Sequence, residues 1–359
     1  MSTSVRSWRT ALLTAAALAG VTATLVATPA QAKGTATLEV LASGLVNGRD
    51  VTALRDGRIL VAEAGEGKTD CAAETHCAGP TGAVYQVNGS HKGRVVTGLA
   101  SSGVGSAATG GAQEVGGPTA VAPAPDGGYL VLSSLGGTTE TRTALGPAGA
   151  TLGTLFRTRD GKVLADLADH ETRLNPDQGE VHANPWRFIG NGHGYLATDS
   201  GANTLVAADC GGTTTTKFVF PKNDTSTGPA EAVPTGLVRA FDGTLYVSDF
   251  GGARPGNAKI WKIAPGGQPE VLVTGLNTLV DIALDGKGNL YALSFTDGFV
   301  QGPPLPGRLS KVNLSTKQIT EVPTAGQLGQ PTGIDVGPQG QIYVVAGNNA
   351  DSKLLRVRP

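Results

Sequence analysis

One short pattern recurs along the chain and constrains its fold more than any other feature. In its clearest copy, residues 236–249, a short apolar strand is followed by the turn Asp242-Gly243, a second apolar strand and the carboxylate Asp249. The other five copies occupy residues 50–63, 120–133, 187–199, 281–294 and 333–346. Alternating apolar residues on both sides of an Asp-Gly turn predict a β-hairpin. The chain is therefore expected to contain six related hairpins.

The spacing of the hairpins indicates how they assemble. The last four copies begin near residues 185, 234, 279 and 331, which is the spacing of four-stranded propeller blades. The sixth copy reaches only a third strand, residues 354–357, while residues 37–45 carry the pattern of a fourth strand. We predict an all-β protein, a six-bladed β-propeller with four-stranded blades, in which the N-terminal strand completes the last blade and closes the ring.

The first 32 residues have the features of a secretory signal peptide. Arg6 and Arg9 precede an apolar run at residues 11–26, and Ala30-Gln31-Ala32 forms a small-residue cleavage site. The run is rich in Ala and Thr and is shorter than a membrane span. Residues 33–359 are therefore predicted to form a single propeller domain, secreted by a Sec-type signal and without a membrane span in the mature chain.

Charge and cysteine usage fit an extracytoplasmic protein. The chain has 28 basic and 29 acidic residues and no basic stripe, so a nucleic-acid partner is not expected. Cys71 and Cys77 bracket five residues in a polar stretch, and an oxidising compartment favours a disulfide between them. A zinc site that adds His76 and Cys210 is the alternative, although no C-x-x-C pair supports it. Cys210 remains an odd thiol.

The first two blades contain insertions. The Gly-rich ranges 64–82, 103–117 and 136–149 are predicted to be long, mobile loops over one face, where propellers carry their specificity. Residues 163–174 have apolar residues at helical spacing and stop before Asn175-Pro176, which predicts a short helix after blade 2.

Several strings, taken as an ordered set, resemble the ScyD/ScyE family of exported bacterial proteins, which are related to six-bladed NHL-type propellers. The strings are Gly79-Pro80-Thr81-Gly82-Ala83-Val84, Ala165-Asp166-Leu167 followed by Asn175-Pro176-Asp177, Asn184-Pro185-Trp186, Val233-Pro234-Thr235-Gly236, Leu245-Tyr246-Val247-Ser248 and Asn277-Thr278-Leu279-Val280-Asp281-Ile282-Ala283. The resemblance implies this fold and an exported protein, and it brings no catalytic residues. His182-Ala183 and Arg187 depart from the family pattern, which more often has Asp-Ser and Gly there.

Polar residues recur at two positions of the repeat. At the start of the innermost strand, Asp50, Arg187 and Asp281 are predicted to face the central channel, with His182 and Asn184 just before them in blade 3. These residues are candidates for binding a small polar ligand or an ion, and the alternative is that they neutralise one another. At the end of the second strand, Glu63, Asp199 and Asp249 are candidates for capping the next turn, with cation binding as the alternative.

The motifs favour binding over catalysis. No G-x-S-x-G elbow or H-E-x-x-H motif is present. We expect a secreted, non-catalytic, monomeric propeller that binds a protein, glycan or small molecule without a cofactor. The alternative is a metal-dependent hydrolase or lactonase that uses Asp50, Asn184 and Asp281 to hold Ca²⁺ or another divalent ion at the channel. A sugar dehydrogenase on the same scaffold is a third possibility.

Overall fold

Six antiparallel sheets, arranged as the blades of a ring, account for most of the described chain. The structure is a computed structural model that describes residues 34–105, 112–225, 228–298, 305–347 and 351–359. The predicted signal segment, residues 1–32, lies outside the described residues. Among the residues that the structure describes, no helix is long and apolar enough to cross a membrane. The prediction of a six-bladed β-propeller is confirmed.

Each blade is given from its innermost strand outwards. Blade 1 contains β2 (Gly48–Ala53), β3 (Ile59–Glu63), β4 (His76–Asn88), β5 (His91–Gly105) and β6 (Ala112–Gly116). Blade 2 contains β7 (Pro118–Pro123), β8 (Tyr129–Ser133), β9 (Thr154–Arg157) and β10 (Val163–Asp166). Blade 3 contains β11 (Pro185–Asn191), β12 (Gly194–Asp199), β13 (Thr204–Ala208) and β14 (Thr214–Val219).

The second half of the ring follows the same order. Blade 4 contains β15 (Pro234–Arg239), β16 (Leu245–Asp249), β17 (Ala258–Ile263) and β18 (Pro269–Leu276). Blade 5 contains β19 (Leu279–Leu284), β20 (Asn289–Ser294), β21 (Arg308–Asn313) and β22 (Ile319–Val322). Blade 6 contains β23 (Gly333–Val336), β24 (Ile342–Ala346), β25 (Ser352–Arg358) and, from the other end of the chain, β1 (Thr37–Leu45).

The ring closes through β1, as predicted. This strand pairs antiparallel with β25, with Leu38 opposite Val357. Glu39 adds an ion pair to Arg356 at 2.6 Å and another to Arg358 at 2.9 Å. The pairing covers the outer edge of β25, which would otherwise offer unpaired backbone groups to other chains.

The hydrophobic core is divided among the interfaces between blades. Six clusters of buried apolar side chains each join two neighbouring blades, including the cluster that joins blade 6 to blade 1. Val247 of blade 4, for example, packs with Leu205 of blade 3. Because each sheet is apolar on both faces, each blade needs a neighbour on both sides.

The two faces of the ring differ in their connections. On one, which we call the hairpin face, the first and second strands of each blade are joined by tight turns. A glycine with φ between +61° and +96° completes each of these turns, a backbone conformation that suits Gly. These glycines are Gly57, Gly127, Gly192, Gly243, Gly288 and Gly340. The opposite face, which we call the loop face, carries the longer connections and the insertions of blades 1 and 2.

The insertions contain more regular structure than the sequence predicts. Residues 76–82 belong to β4, and the range 103–117 contains the end of β5 and a fifth strand, β6, with residues 106–111 outside the described part. The range 136–149 holds the helix α1 (Thr139–Ala144) and a 3-10 turn (Pro147–Gly149). The prediction that these three ranges are loops is therefore wrong for the parts that form strands and a helix, because backbone pairing and capping order them.

The predicted helix at 163–174 is correct only in its second part. Residues 163–166 form β10, the outer strand of blade 2, and the helix α2 (Leu167–Leu174) begins after Asp166. The Asp166 side chain caps α2 by accepting from the Asp169 N–H, and it also binds Arg142 of α1. The pairing of β10 with β9 overrides the helical spacing of the first four residues.

Candidate functional site

The centre of the channel is filled by charged side chains from blades 1, 3 and 5. Arg187 extends from blade 3 and forms an ion pair with Asp50 of blade 1. Its Nη1 lies 3.5 Å from Oδ2 of Asp281 in blade 5. The structure therefore brings these three sequence candidates together, with one guanidinium between two carboxylates.

The same carboxylates also join neighbouring blades. Oδ2 of Asp50 accepts from the Val121 N–H at 3.2 Å, and Oδ2 of Asp281 accepts from the Ile334 N–H at 2.9 Å. Burial raises the pKa of Asp281, against the opposing effect of Arg187. These acceptors are thus engaged by backbone amides as well as by the guanidinium.

Asp335, which the sequence reasoning missed, is a third carboxylate in this region. Its two oxygens accept from the Ala53 and Val336 N–H groups, both at 2.8 Å. Burial raises its pKa, while the charge of Arg187 lowers it and that of Asp281 raises it further. The repeat position that holds Asp50, Arg187 and Asp281 in blades 1, 3 and 5 is Gly333 in blade 6. Asp335 lies two residues after it, so the repeat pattern does not indicate it.

A second layer lies one residue earlier on the same three blades, towards the loop face. The Trp186 indole N–H donates to the Val280 carbonyl of blade 5 at 3.0 Å. The Arg49 guanidinium of blade 1 lies over the Trp186 ring, 5.8 Å from its centroid. Both side chains are partly exposed. Arg49 and Trp186 thus line the loop-face mouth of the channel.

The even-numbered blades contribute small residues and threonines instead. Gly236 is required by close packing, since a Cβ there would lie 2.6 Å from Oδ1 of Asp281. Threonine hydroxyls bond to carbonyls of the next blade, at 3.2, 2.8 and 2.7 Å, in the pairs Thr119 to Pro185, Thr235 to Leu279 and Thr332 to Gly48. The string Pro-Thr-Ala/Gly at residues 118, 234 and 331 is the sequence signal for this alternation.

His182 and Asn184 are placed in a different group, on the loop face of blade 3. The Asn184 N–H donates to Oδ1 of Asp199 at 2.7 Å, and the same oxygen accepts from Gly201 and Ala202. The His182 ring lies against Gly201, where a Cβ would be 2.6 Å from it. The five channel candidates therefore divide between the channel centre and the Asp199 turn.

Two acidic side chains that the sequence analysis did not single out, Glu171 and Asp177, lie near Asp199. Glu171 on α2 and Asp199 are each 1% exposed, and burial raises the pKa of each to about 7. No hydrogen bond of good geometry reaches either Glu171 carboxylate oxygen, although the nearby His182 amide lowers its pKa. Asp177 is close enough to raise both pKa values and is held by Asn203 at 2.8 Å.

Glu63 and Asp249, the other two candidates at the end of a blade's second strand, are bound by neighbouring groups. Glu63 accepts from the Val46 N–H at 2.7 Å and forms an ion pair with Arg94 at 2.6 Å. Asp249 accepts from the Gly251 N–H at 2.6 Å and from the Trp261 indole at 3.1 Å. Burial raises the pKa of Asp249 to about 6, against these hydrogen bonds.

The channel residues do not fit the divalent ion of a lactonase-type propeller. Such an ion between Asp50 and Asp281 would have to displace the Arg187 guanidinium and two backbone amides. Within the described ranges, no three His, Cys, Asp or Glu side chains form a group able to hold a metal. The predicted disulfide is confirmed between Cys71 and Cys77, with Cα atoms 5.9 Å apart, so these two cysteines are not zinc ligands. Cys210 is a free, exposed thiol.

Comparison with known proteins supports the fold and leaves the activity open. No protein-family model and no curated protein matches the chain. A catalytically inactive virginiamycin B lyase from Staphylococcus aureus, solved with quinupristin, is 14% identical, with a TM-score of 0.53 over 90% of this chain and 99% of that one. Regucalcin from Agrobacterium tumefaciens, a calcium-binding protein, is 14% identical, with a TM-score of 0.52 over 89% and 94%. At these identities the likeness shows a shared six-bladed propeller fold.

Proposed function

We propose that this protein is an exported, non-catalytic binding propeller of the ScyD/ScyE type that holds its ligand on the loop face. One observation carries the proposal. The polar groups at the channel centre are engaged with one another and with backbone amides, whereas the longer connections and the insertions lie on the loop face. Propellers place specificity in such connections. The Cys71–Cys77 disulfide supports export to an oxidising compartment.

The first test is for turnover. We expect no activity on panels of ester, lactone and sugar substrates, with or without added Ca²⁺ or Zn²⁺. The Asp281→Asn variant tests the channel, and Glu270→Gln, an exposed carboxylate of blade 4, is its matched control. Turnover lost in Asp281→Asn but kept in Glu270→Gln, with both variants folded by circular dichroism, overturns the proposal in favour of a channel hydrolase.

The second test locates the binding face. Lys68→Glu places a reversed charge on the insertion of blade 1, and Phe241→Ser changes a fully exposed side chain on the hairpin face. Both positions are exposed, so neither change should affect folding. On glycan, peptide and metabolite arrays we expect ligands to lose signal with Lys68→Glu and to keep it with Phe241→Ser. The opposite result would place binding on the hairpin face.

A further inference from the structure

Arg49 is a partly buried guanidinium that lacks an anionic partner. Of the five N–H donors of an arginine, the described structure gives one to a protein acceptor, the Val115 carbonyl at 3.3 Å from Nη2. No described Asp or Glu forms an ion pair with Arg49. Burial lowers its pKa to about 10, because removing the cation from water is not offset by a nearby carboxylate.

Two other described arginines with little exposed side chain are each paired with a carboxylate. Arg187, with 12% of its side chain exposed, binds Asp50, and Arg142, with 16% exposed, binds Asp166. A desolvated charge without a partner is costly, and proteins keep such groups mainly where they serve a function. Arg49 therefore differs from the structural arginines of the same chain and has donors free for an anion.

The surroundings of Arg49 indicate the kind of anion. The guanidinium lies over the indole of Trp186, and the indole is held in place by its hydrogen bond to the Val280 carbonyl. A guanidinium fork matches the two oxygens of a carboxylate, and an aromatic plane offers apolar contact to a flat group. Both side chains are partly exposed, at the loop-face mouth of the channel.

We propose that Arg49 and Trp186 form the binding site for a planar organic carboxylate at the loop-face mouth of the channel. The guanidinium donates to the carboxylate oxygens, which lie in its own plane, and the flat part of the ligand extends from there across the indole ring. This inference rests on the proposed binding function and names the class of its ligand. The Asp50–Arg187–Asp281 layer lies one residue further along the same three strands, with its one guanidinium bound to its own two carboxylates.

Calorimetry on the full chain tests the site with defined probes. Benzoate and indole-3-carboxylate represent the proposed class, benzamide is the uncharged control and inorganic phosphate is the anion without a flat apolar part. We expect saturable binding of the two carboxylates and at least about tenfold weaker binding of the other two. Equal binding of benzamide or phosphate, or no saturable binding of either carboxylate, overturns the proposal.

Two arginine variants assign the binding to Arg49. Arg49→Gln should weaken benzoate by about tenfold or more, while Arg239→Gln, which removes a guanidinium on the hairpin face, should leave it unchanged. If Arg49→Gln fails to fold, Arg49→Lys keeps the charge but removes the fork and should weaken benzoate in the same direction. Unchanged affinity in a folded Arg49 variant would reject the site.

Fluorescence gives a local readout of the same event. The chain has three tryptophans, and in a Trp8→Phe/Trp261→Phe background Trp186 is the only one left. Saturable quenching of Trp186 by indole-3-carboxylate is expected, and binding by calorimetry without such quenching places the ligand elsewhere. If the probes neither bind nor quench Trp186, the Arg49 site is rejected but the proposed function stands. In that case a ligand found on the arrays would still lose signal with Lys68→Glu, because the loop face would bind it through other residues.

Discussion

At the centre of the ring Asp50 and Asp281 face the cation Arg187, whereas Glu171 on α2 and Asp199 in blade 3 have no described Lys or Arg paired with them. Both kinds of group are buried, but their energetics differ. The one guanidinium offsets part of the charge of the two central carboxylates, so removing it would leave both of them buried and uncompensated. Glu171 and Asp199 instead keep their free energy low by holding protons up to a higher pH than free carboxyl groups.

Stability should therefore depend on pH in a defined direction. Folded pKa values of about 7 for Glu171 and Asp199 lie above the value of about 4 for a carboxyl in an unfolded chain. The folded state thus holds protons that the unfolded state has released between about pH 4 and pH 7. Across this window these two groups lower the free energy of unfolding as pH rises, and the loss is complete above about pH 7.

The Glu171→Gln variant tests this account. Removing the ionisable group should raise the free energy of unfolding at about pH 8 by about 1–3 kcal/mol and make its pH dependence shallower. Urea denaturation at several pH values gives both quantities. Glu270→Gln, at an exposed carboxylate, should behave like the unsubstituted protein. If Glu171→Gln kept the full pH dependence, the raised pKa values would not contribute to stability.

At the scale of the elements, the insertion of blade 1 is an extension of the sheet beyond the ring. The strands β4 and β5 have 13 and 15 residues, and His76 pairs with Val104 at the far end. The Cys71–Cys77 disulfide lies where the chain enters β4, and the Glu74 N–H donates to the Gly105 carbonyl at 2.8 Å. The disulfide therefore anchors the start of this extension, on the face to which we assign binding.

Replacing both cysteines should loosen this extension and leave the ring intact. The disulfide has a sequence separation of 6, and a loop this short accounts for a stabilisation of about 2 kcal/mol. In the Cys71→Ser/Cys77→Ser variant we expect faster hydrogen exchange at amides near residues 74–79 and 101–105, with unchanged exchange in blades 3 to 5. Cys210→Ser is the control, since that thiol is exposed and free. Equal acceleration throughout the ring would show that the disulfide stabilises the whole fold.

The elements also show what is readable from the sequence. The hairpins could be predicted from the sequence, because each depends on a local turn in which a glycine such as Gly243 adopts a positive φ. The strands within the insertions and the exact start of α2 after Asp166 could not be predicted, because the pairing of β5 with β6 and of β10 with β9 depends on contacts outside the local pattern. The contact between Arg49 and Trp186 could not be predicted either, because it depends on how the side chains of blades 1 and 3 meet at the mouth of the channel.

At the scale of the whole molecule, stability is shared among six interblade clusters, so the loss of any one should affect the entire ring. The cluster between blades 6 and 1 depends on β1, which contributes Leu45. The repeated pattern predicts this closure correctly, because the last blade lacks a fourth strand within its own repeat and β1 has the matching one. The contact of β1 with blades 6 and 1 is therefore expected to contribute as much to the free energy of unfolding as the contact between any other two blades.

Matched core substitutions test this expectation. Leu45 on β1 and Leu237 on β15 are both completely buried in interblade clusters. Leu45→Ala and Leu237→Ala should each lower the free energy of unfolding by about 2–5 kcal/mol in denaturant titrations. Val40→Ala on the same β1 strand, where the side chain is 55% exposed, should cost far less. A Leu45→Ala cost close to that of Val40→Ala would mean that β1 is dispensable.

Closure by β1 also determines when folding can finish. Glu39 on β1 and Arg356 on β25 are 317 residues apart in the chain, and contacts between such distant positions form slowly. The strand β1 leaves the ribosome before the other strands of the ring and is therefore among the last to find its partner. Until β25 emerges, β1 has no edge to pair with, and a partly made ring exposes both an open strand and an apolar blade face. The folding of this ring therefore depends on the time between the synthesis of β1 and that of β25, and slow synthesis would prolong its exposure to aggregation.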